Sequence, residues 1–291
     1  MICSLCPRRC GALRTEERGE GCCGMPSRPV VARAALHYWE EPVISGARGS
    51  GAVFFSGCPL SCRFCQNAAI SQKGFGKAVS VERLAQIFRE LEEQGAHNIN
   101  LVSGGHFAHL LPEAIRKSGV SIPFVWNSSG YERVETVKAL ADWVSVWLPD
   151  LKYLDPRRAA RYSGAGDYPE VAAAAIRAMV SAAGPYQVED GVLRSGVLIR
   201  HLLLPGGLPE AKAVMDWVAE TFPPGTVLFS LMGQYVPPSE DRDCPELCRR
   251  VRPSELRAAV AYLEALGLQG YTQELSAAQK EYTPPFDLTG V

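Results

Sequence analysis

What the chain lacks narrows it first. No apolar run approaches the length of a membrane span. The opening residues, Met1-Ile2-Cys3-Ser4-Leu5-Cys6, show no charged segment followed by an apolar one, so no secretory signal is expected. Thirty Lys and Arg nearly cancel thirty-one Asp and Glu, for a formal net charge of −1, which gives no global pull toward nucleic acid. No short internal repeat or low-complexity tract interrupts the 291 residues. That length suits one large α/β domain with an appendage, or two small domains, and can bury a core without staples. Cysteine is what the chain does have: ten residues, in clusters. Without an export signal, clustered cysteines read as metal ligands, not disulfides, and the expected compartment is the cytoplasm.

Three of them stand in Gly57-Cys58-Pro59-Leu60-Ser61-Cys62-Arg63-Phe64-Cys65-Gln66-Asn67. Thiolates at C-x3-C-x2-C spacing can wrap one face of a cubane and leave the fourth iron of a [4Fe–4S] cluster without a protein ligand. An open metal position is where chemistry happens. A structural zinc site or merely buried thiols are the alternatives. Zinc takes a fourth ligand, and the stretch through Lys77 offers no Cys or His. The loop follows a strand-like run, Ala52–Ser56, which puts the thiols at the C-terminal end of a strand, where parallel α/β folds keep their sites.

From Gly51 a strand–helix alternation begins. Strand-like runs fall at Ala52–Ser56, Asn98–Ser103, Pro123–Asn127, Trp143–Leu148, Gly196–Leu204 and Thr226–Leu231, with a weaker one at Gly270–Glu274. Helical patterns lie between them. Val81, Leu84, Ala85, Ile87, Phe88 and Leu91 mark one apolar face, capped by Ser80 and stopped at Gly95. Further helices are expected at Pro112–Ser118, Glu132–Ala141, Pro169–Ala183, Pro209–Thr221 and Pro253–Leu266. Such alternation predicts a parallel sheet, and six units short of closure predict an α/β fold, a partial (β/α)6 TIM-like barrel. The expected division is a Cys-rich N-terminal segment at 1–50, the barrel at 51–275, and a tail at 276–291 that is extended or frayed around Thr283-Pro284-Pro285-Phe286.

Polar residues cluster where these strands end. Ser103-Gly104-Gly105-His106 would let backbone approach a ligand, or would form an ordinary turn. Asn127, Ser128 and Ser129 would hydrogen-bond a ligand's ribose or carboxylate, or turn with Gly130. Asp150 and Lys152 share a strand face and form either an inner charged pair or a rim ion pair. Arg200 and His201 interrupt a very apolar strand. Neighbours on a strand face opposite ways, so Arg200 is expected inward and His201 as a satisfied structural histidine. Gln234 and Tyr235 are expected at the mouth of the pocket.

The cluster loop, with Asn98-Ile99-Asn100-Leu101-Val102, Asn127-Ser128-Ser129-Gly130-Tyr131, Leu148-Pro149-Asp150-Leu151-Lys152-Tyr153, Arg200-His201-Leu202-Leu203-Leu204-Pro205-Gly206 and Met232-Gly233-Gln234-Tyr235-Val236-Pro237, resembles the radical S-adenosylmethionine (SAM) superfamily. Within it, the set resembles proteins related to the pyruvate formate-lyase activating enzyme, from about Cys3 to Glu274. The resemblance implies a partial barrel and a [4Fe–4S] cluster on Cys58, Cys62 and Cys65. It implies SAM on the open iron, with Ser103, Gly104 and Gly105 near its amino group and Asp150 and Lys152 beside it; His106 stands where such proteins often carry an acid. Asn127, Ser129, Arg200 and Gln234 complete the candidate pocket, with Arg200 pairing the SAM carboxylate or the substrate. Phe64 would shield the cluster or stack near the adenine. Reductive cleavage would yield methionine and a 5′-deoxyadenosyl radical that abstracts hydrogen. A reduced flavodoxin or ferredoxin would be the electron donor. The implied substrate is a glycyl radical enzyme, a peptide or a small molecule. The alternative is a non-catalytic iron–sulfur protein that transfers electrons or senses oxygen.

Cys3, Cys6, Cys10 and Cys22, with Cys23 adjacent, suit tetrahedral zinc or a second Fe–S cluster, with the structural role favoured. Arg8 and Arg9 would offset its charge. Cys244 and Cys248 form a further pair that adds a ligand, lines the site, or is incidental.

Overall fold

The computed structural model describes residues 2–238, 240–273 and 284–291. Its strands are β1 (Val30–His37), β2 (Ser50–Phe55), β3 (Lys77–Ala78), β4 (Ile99–Val102), β5 (Phe124–Ser128), β6 (Val146–Pro149), β7 (Gln187–Glu189), β8 (Val192–Leu202), β9 (Val227–Met232) and β10 (Gly270–Gln273). The helices are α1 (Pro42–Ser45), α2 (Ala68–Ser71), α3 (Val81–Glu93), α4 (Leu111–Ser118), α5 (Val134–Leu140), α6 (Pro156–Ser163), α7 (Tyr168–Ala183), α8 (Leu208–Thr221) and α9 (Pro253–Leu266).

The sheet runs β10-β9-β8-β6-β5-β4-β2-β1-β3, with β7 attached to β8. From β2 to β10 the neighbours are parallel and keep chain order, which is the order of a barrel and not of a doubly wound sheet. Among the described residues, the edge strands β3 and β10 do not pair with each other. The expected open α/β barrel is therefore the fold found. The weak seventh run is β10, parallel to β9 from Gly270↔Phe229 to Gln273↔Met232; Glu274 lies outside the described residues. Among the described residues no helix is long and apolar enough to cross a membrane.

Local chemistry accounts for the elements. The Ser80 hydroxyl accepts from the Arg83 amide at 3.1 Å and starts α3, whose Leu84, Ile87, Phe88 and Leu91 are buried. Several elements were not expected from the pattern, and two of them matter for the site. Residues 30–37, inside the Cys-rich segment 1–50, form β1, antiparallel to β2. Helix α6, Pro-Arg-Arg-Ala-Ala-Arg-Tyr-Ser, is polar overall and buries only a short face of Ala159, Tyr162 and Ser163; the Asp155 side chain caps it by accepting from the Arg157 amide at 2.8 Å.

Alternation along the strands sorts side chains into two layers. Trp126, Trp147, Ile199 and Phe229 face outward into the helix-covered core. Val125, Val146, Leu148, Leu198 and Leu228 face inward, where Val43 and Ile44 of α1 pack on them. Because β1 runs antiparallel to β2, with His37 opposite Ser50, the chain leaves β1 where the parallel strands begin. It then folds back into the barrel mouth, and Asn98 Nδ2 donates to Ile44 O at 2.8 Å. Segment 39–45 enters from the N-terminal ends of the parallel strands, where Val43 and Ile44 fill the interior against Val125, Val146, Leu148, Leu198 and Leu228. Of the expected tail, residues 284–291 pack along β1, joined by Ala34 N to Thr289 O and Leu288 N to Ala32 O, and turn at 289–290; Thr283 lies outside the described residues.

Candidate functional site

β2 hands the chain directly to the cysteine loop. The Ser56 amide donates to Val30 O and the Gly57 amide to Ile70 O, both at 2.9 Å. Gly57 sits at φ +82°, and a Cβ there would fall 2.2 Å from Met25 Cγ, so only glycine fits. Farther on, α6 holds the loop: Ser61 N donates to Ser163 O at 3.1 Å, and Arg63 N to Tyr162 O at 2.9 Å. Arg8 braces it from the N-terminal segment, donating from Nε to Pro59 O at 2.8 Å and from Nη2 to Gly164 O at 2.7 Å.

Cys58, Cys62 and Cys65 all line one cavity of about 270 Å³, and among the described residues no other cysteine lines it. Each sulfur meets a donor: Cys58 Sγ the Leu60 amide at 3.4 Å, Cys62 Sγ the Ser163 hydroxyl at 3.0 Å, and Cys65 Sγ the Ser71 hydroxyl at 3.2 Å. Burial pushes the Cys58 and Cys62 thiols up, with Lys152 acting against burial at Cys62. Thiolates here therefore need cationic partners, which ligated iron supplies. Three thiols on one cavity, each with a donor at its sulfur, fit a cubane held at three corners. Among the described residues, no three Cys, His, Asp or Glu side chains converge as a single metal ion would require. A cubane makes no such demand, because its sulfur ligands sit on separate irons.

Below the thiols lies a charged floor. Arg200 Nε donates to Asp150 Oδ1 at 3.0 Å, Nη1 to Glu40 Oε2 at 3.1 Å, and Nη2 to Asn127 Oδ1 at 2.7 Å. Asp150 Oδ2 pairs with Lys152 Nζ at 2.5 Å. Glu40 Oε1 accepts from Asn127 Nδ2 at 3.0 Å and Asn100 Nδ2 at 3.3 Å. Burial pushes Asp150 up, but Lys152 and Arg200 more than offset it, and the carboxyl lies below its ordinary range. Burial likewise opposes the charge of Lys152 and Arg200, and their acidic neighbours overcome it, so both stay cationic. Among the described residues, three of the five guanidinium N–H bonds are used, leaving one on each terminal nitrogen for a ligand. Glu41, next in the chain, is fully buried; burial raises its pKa while Arg200 pulls it down.

The structure gathers most of the expected residues. Ser103, Asn127, Ser129, Asp150, Lys152, Arg200 and Gln234 line the cavity with the cysteines and Phe64. Ser103 holds φ +59°, a conformation few non-glycine residues adopt. Gly104 and Gly105 do not line this cavity. A Cβ on Gly104 would meet the Phe55 ring at 3.3 Å, and one on Gly105 the Glu132 carboxylate at 2.8 Å, so the pair makes room for protein side chains. Glu132, its pKa pushed up to about 8 by burial, lines a small adjoining pocket with Cys6, Cys58, Ser103 and Ser129. His106 points away from the cavity, its Nε2 2.6 Å from Ser56 O, and burial lowers it to about 4. His201 faces outward with Nδ1 2.7 Å from Leu151 O. Tyr235, expected at the mouth, is instead buried behind Phe64, ring centroids 6.1 Å apart, and donates to Leu247 O.

Glu40 is the residue that the strand pattern misses. It arrives by fold-back from an antiparallel strand, and its only sequence signal is an acidic pair ahead of Pro42-Val43-Ile44. Cys244 and Cys248 do not line the cavity. Their loop is tied to the cluster loop by Arg63, whose guanidinium pairs with Asp241 and Asp243 at 3.0 Å.

In the N-terminal set, Cys3 and Cys6 are buried in a turn closed by Cys3 N to Ala12 O at 2.9 Å, whereas Cys10 and Cys22 are exposed. Burial pushes Cys6 up to about 11, and a hydrogen bond from the Ala12 backbone holds Cys10 below its ordinary value. The four thiols do not form a ready single-ion site among the described residues.

Residues 52–218 match the family model described as Radical SAM superfamily. An uncharacterized protein of Methanocaldococcus jannaschii is 28% identical over 276 residues, spanning 91% of this chain and 75% of its own length. Among solved structures, a domain of a pyruvate-formate lyase-activating enzyme from Bacteroides vulgatus aligns with a TM-score of 0.39 at 17% identity, over 67% of this chain and 91% of its own. With the matched span covering more than half of the sequence and running from the strand ahead of the cysteine loop past Asp150, Lys152 and Arg200, the chain belongs to the radical SAM superfamily.

Proposed function

We propose that the protein binds a [4Fe–4S] cluster through Cys58, Cys62 and Cys65 and reductively cleaves SAM at the open iron. The observation that carries this reading is the shared cavity: three thiols above a buried floor of Asp150, Lys152, Arg200, Asn127 and Glu40. When bound, the cluster and SAM supply one-electron cleavage of a carbon–sulfur bond and a 5′-deoxyadenosyl radical. The chain's residues do the rest. Asn127, Ser129 and Gln234 offer hydrogen bonds around the cavity wall, and Ser103 shapes the turn above it. Lys152 brings a positive charge to the cluster side, and Arg200 presents its two remaining N–H bonds from below. Gly104 and Gly105 make room behind that turn for Phe55, Trp126 and Glu132. The apolar plug of α1 closes the barrel from beneath and keeps water out.

The finer assignment follows the motif resemblance. The proposed substrate class is a glycyl radical enzyme, with a peptide or small molecule as the other options. The proposed donor is a reduced flavodoxin or ferredoxin, and the proposed compartment is the cytoplasm, where free thiols persist. The N-terminal thiols Cys3, Cys6, Cys10 and Cys22 are proposed as a structural site for zinc or a second cluster that braces the loop through Arg8. The barrel at 51–275 and the segment at 1–50 are proposed as one working unit.

The test is anaerobic reconstitution with iron and sulfide, metal counting, reduction with dithionite, and chromatography for 5′-deoxyadenosine. Stoichiometric 5′-deoxyadenosine and methionine are expected. Reduced, cluster-replete protein that releases none would establish the non-catalytic iron–sulfur reading instead.

A further inference from the structure

Ser163 is fully buried at the last turn of α6, and its hydroxyl touches two groups: Cys62 Sγ at 3.0 Å and the Tyr153 hydroxyl at 3.1 Å. A serine in a helix's last turn ordinarily turns its hydroxyl to the carbonyl one turn back. This one points off the helix, between a sulfur and a phenol. Tyr153 is itself 1% exposed, and burial keeps its phenol protonated.

The direction of this chain is fixed once Cys62 is a metal ligand. A thiolate can only accept, so Ser163 must donate to it. The serine oxygen is then free to accept, and Tyr153 donates into it. We propose that Tyr153 and Ser163 form a one-way hydrogen-bond relay onto the Cys62 sulfur that raises the reduction potential of the cluster. The proposal rests on the reading of Cys58, Cys62 and Cys65 as cluster ligands and deepens it by naming the residues that set how readily the cluster takes its electron.

The physics is charge placement. One electron from the external donor makes the cluster more negative, and part of that charge resides on the ligand sulfurs. A hydrogen bond donated to a sulfur stabilises the reduced form more than the oxidised one, and potentials respond to such bonds. The relay moves no proton and supplies no electron. Tyr153 strengthens the Ser163 donor by polarising it, an effect of about 10–30% per bond in a chain. The three sulfurs are treated unequally. Cys58 has a backbone donor at 3.4 Å and Cys65 a hydroxyl at 3.2 Å from the partly exposed segment at Ser71, whereas Cys62 has the shortest contact and, among the described residues, the only one backed by a second buried donor. Lys152, which lowers the Cys62 pKa through its charge, acts on the same sulfur in the same direction.

The experiment is an anaerobic redox titration of the reconstituted holoprotein, read by the electron paramagnetic resonance of the reduced cluster. Wild type is compared with Ser163→Ala, Tyr153→Phe and the double variant, with iron and sulfide counted in each. Both single variants are expected at lower potential than wild type, Ser163→Ala by more. The double variant should match Ser163→Ala, because the phenol acts only through the serine; a merely structural role for the pair would not produce that equality. If Ser163→Ala loads less iron, Tyr153→Phe carries the comparison, since it leaves the Ser163–Cys62 pair in place. Two results would overturn the relay alone: wild type that cleaves SAM while both single variants titrate at its potential, or a Tyr153→Phe shift that persists in full when Ser163 is already alanine. Wild type that assembles no [4Fe–4S] cluster would overturn the proposed function and take the relay with it.

Discussion

Two sets of cysteines lie close together in this molecule, and they are built differently. Cys58, Cys62 and Cys65 share one cavity, each sulfur faces a hydrogen-bond donor, and charged side chains line the space below them. Cys3 and Cys6 are buried in a turn outside that cavity, Cys6 touching only the small pocket beside it, and Cys10 and Cys22 face solvent. Sequence spacing makes both sets look like metal ligands. Surroundings separate them: a reactive centre needs an open coordination position, room beside it, and groups arranged to tolerate a change in charge, whereas a structural site needs only ligands. The two sets are also mechanically joined, because Arg8 of the first reaches Pro59 O beside Cys58 of the second.

The largest expected effect sets the two against each other. Cys62→Ala removes a corner of the proposed cubane, and iron at the main centre and 5′-deoxyadenosine formation should both fall to background. In the metal-free apoprotein Cys22→Ser alters only an exposed thiol, so apoprotein stability should move by no more than about 0.5 kcal/mol, and cleavage by the reconstituted main centre with a chemical reductant should stay at the wild-type rate. Should Cys22→Ser abolish cleavage while the main cluster is retained, the N-terminal set takes part in electron flow and the contrast fails.

Next comes Arg200→Leu, which removes the cation at the centre of the floor. Lys152 still pairs with Asp150, but Glu40, 12% exposed as a side chain, loses its cationic partner. Breaking a buried pair by deleting one member costs about 3–5 kcal/mol. Denaturation of the apoprotein should show a loss of that size, and SAM binding to the holoprotein should weaken, with any metal at the N-terminal set unchanged. A loss under about 1 kcal/mol would mean that water already reaches the floor.

What was legible in the sequence follows from the range over which each feature is determined. The strand runs at 98–103, 123–127, 196–204 and 226–231 lie within a few residues of β4, β5, β8 and β9 because alternation is a local pattern. The same alternation turns Arg200 into the barrel and His201 out of it. Glu40 was not legible, since its position depends on β1 pairing antiparallel and the chain then doubling back through the barrel mouth. Nor was α6: its eight residues carry three arginines and only a short buried face of Ala159, Tyr162 and Ser163, yet it delivers Ser163 to Cys62. Gly104 and Gly105 were legible as a place where bulk is excluded, but not as to what fills the space, which is Phe55, Trp126 and Glu132.

The smallest effect tests whether the two cysteine regions yield together. His106 joins them: its ring meets Ser56 O just ahead of the cluster loop, and its carbonyl accepts from Arg14 Nη1 of the N-terminal segment at 2.7 Å. Burial, with Arg14 and His109 nearby, lowers its pKa from 6.5 to about 4. A folded-state pKa below the unfolded one means that the unfolded chain binds the proton first. The stability is therefore complete above about pH 6.5 and is lost as the pH falls toward 4. At pH 5 the loss should be about 2 kcal/mol. His106→Gln keeps a donor for Ser56 O but does not titrate, so between pH 7.5 and pH 5 the wild-type apoprotein should lose about 2 kcal/mol more than the variant in urea denaturation. Fluorescence labelling of the thiols in mild acid, followed by peptide mapping, would locate the change. Cys3 and Cys58 should become reactive at the same pH in wild type and at a lower pH in the variant. If Cys3 opens first and Cys58 stays protected, the N-terminal segment detaches on its own, and Arg8 is a passive contact that does not brace the loop.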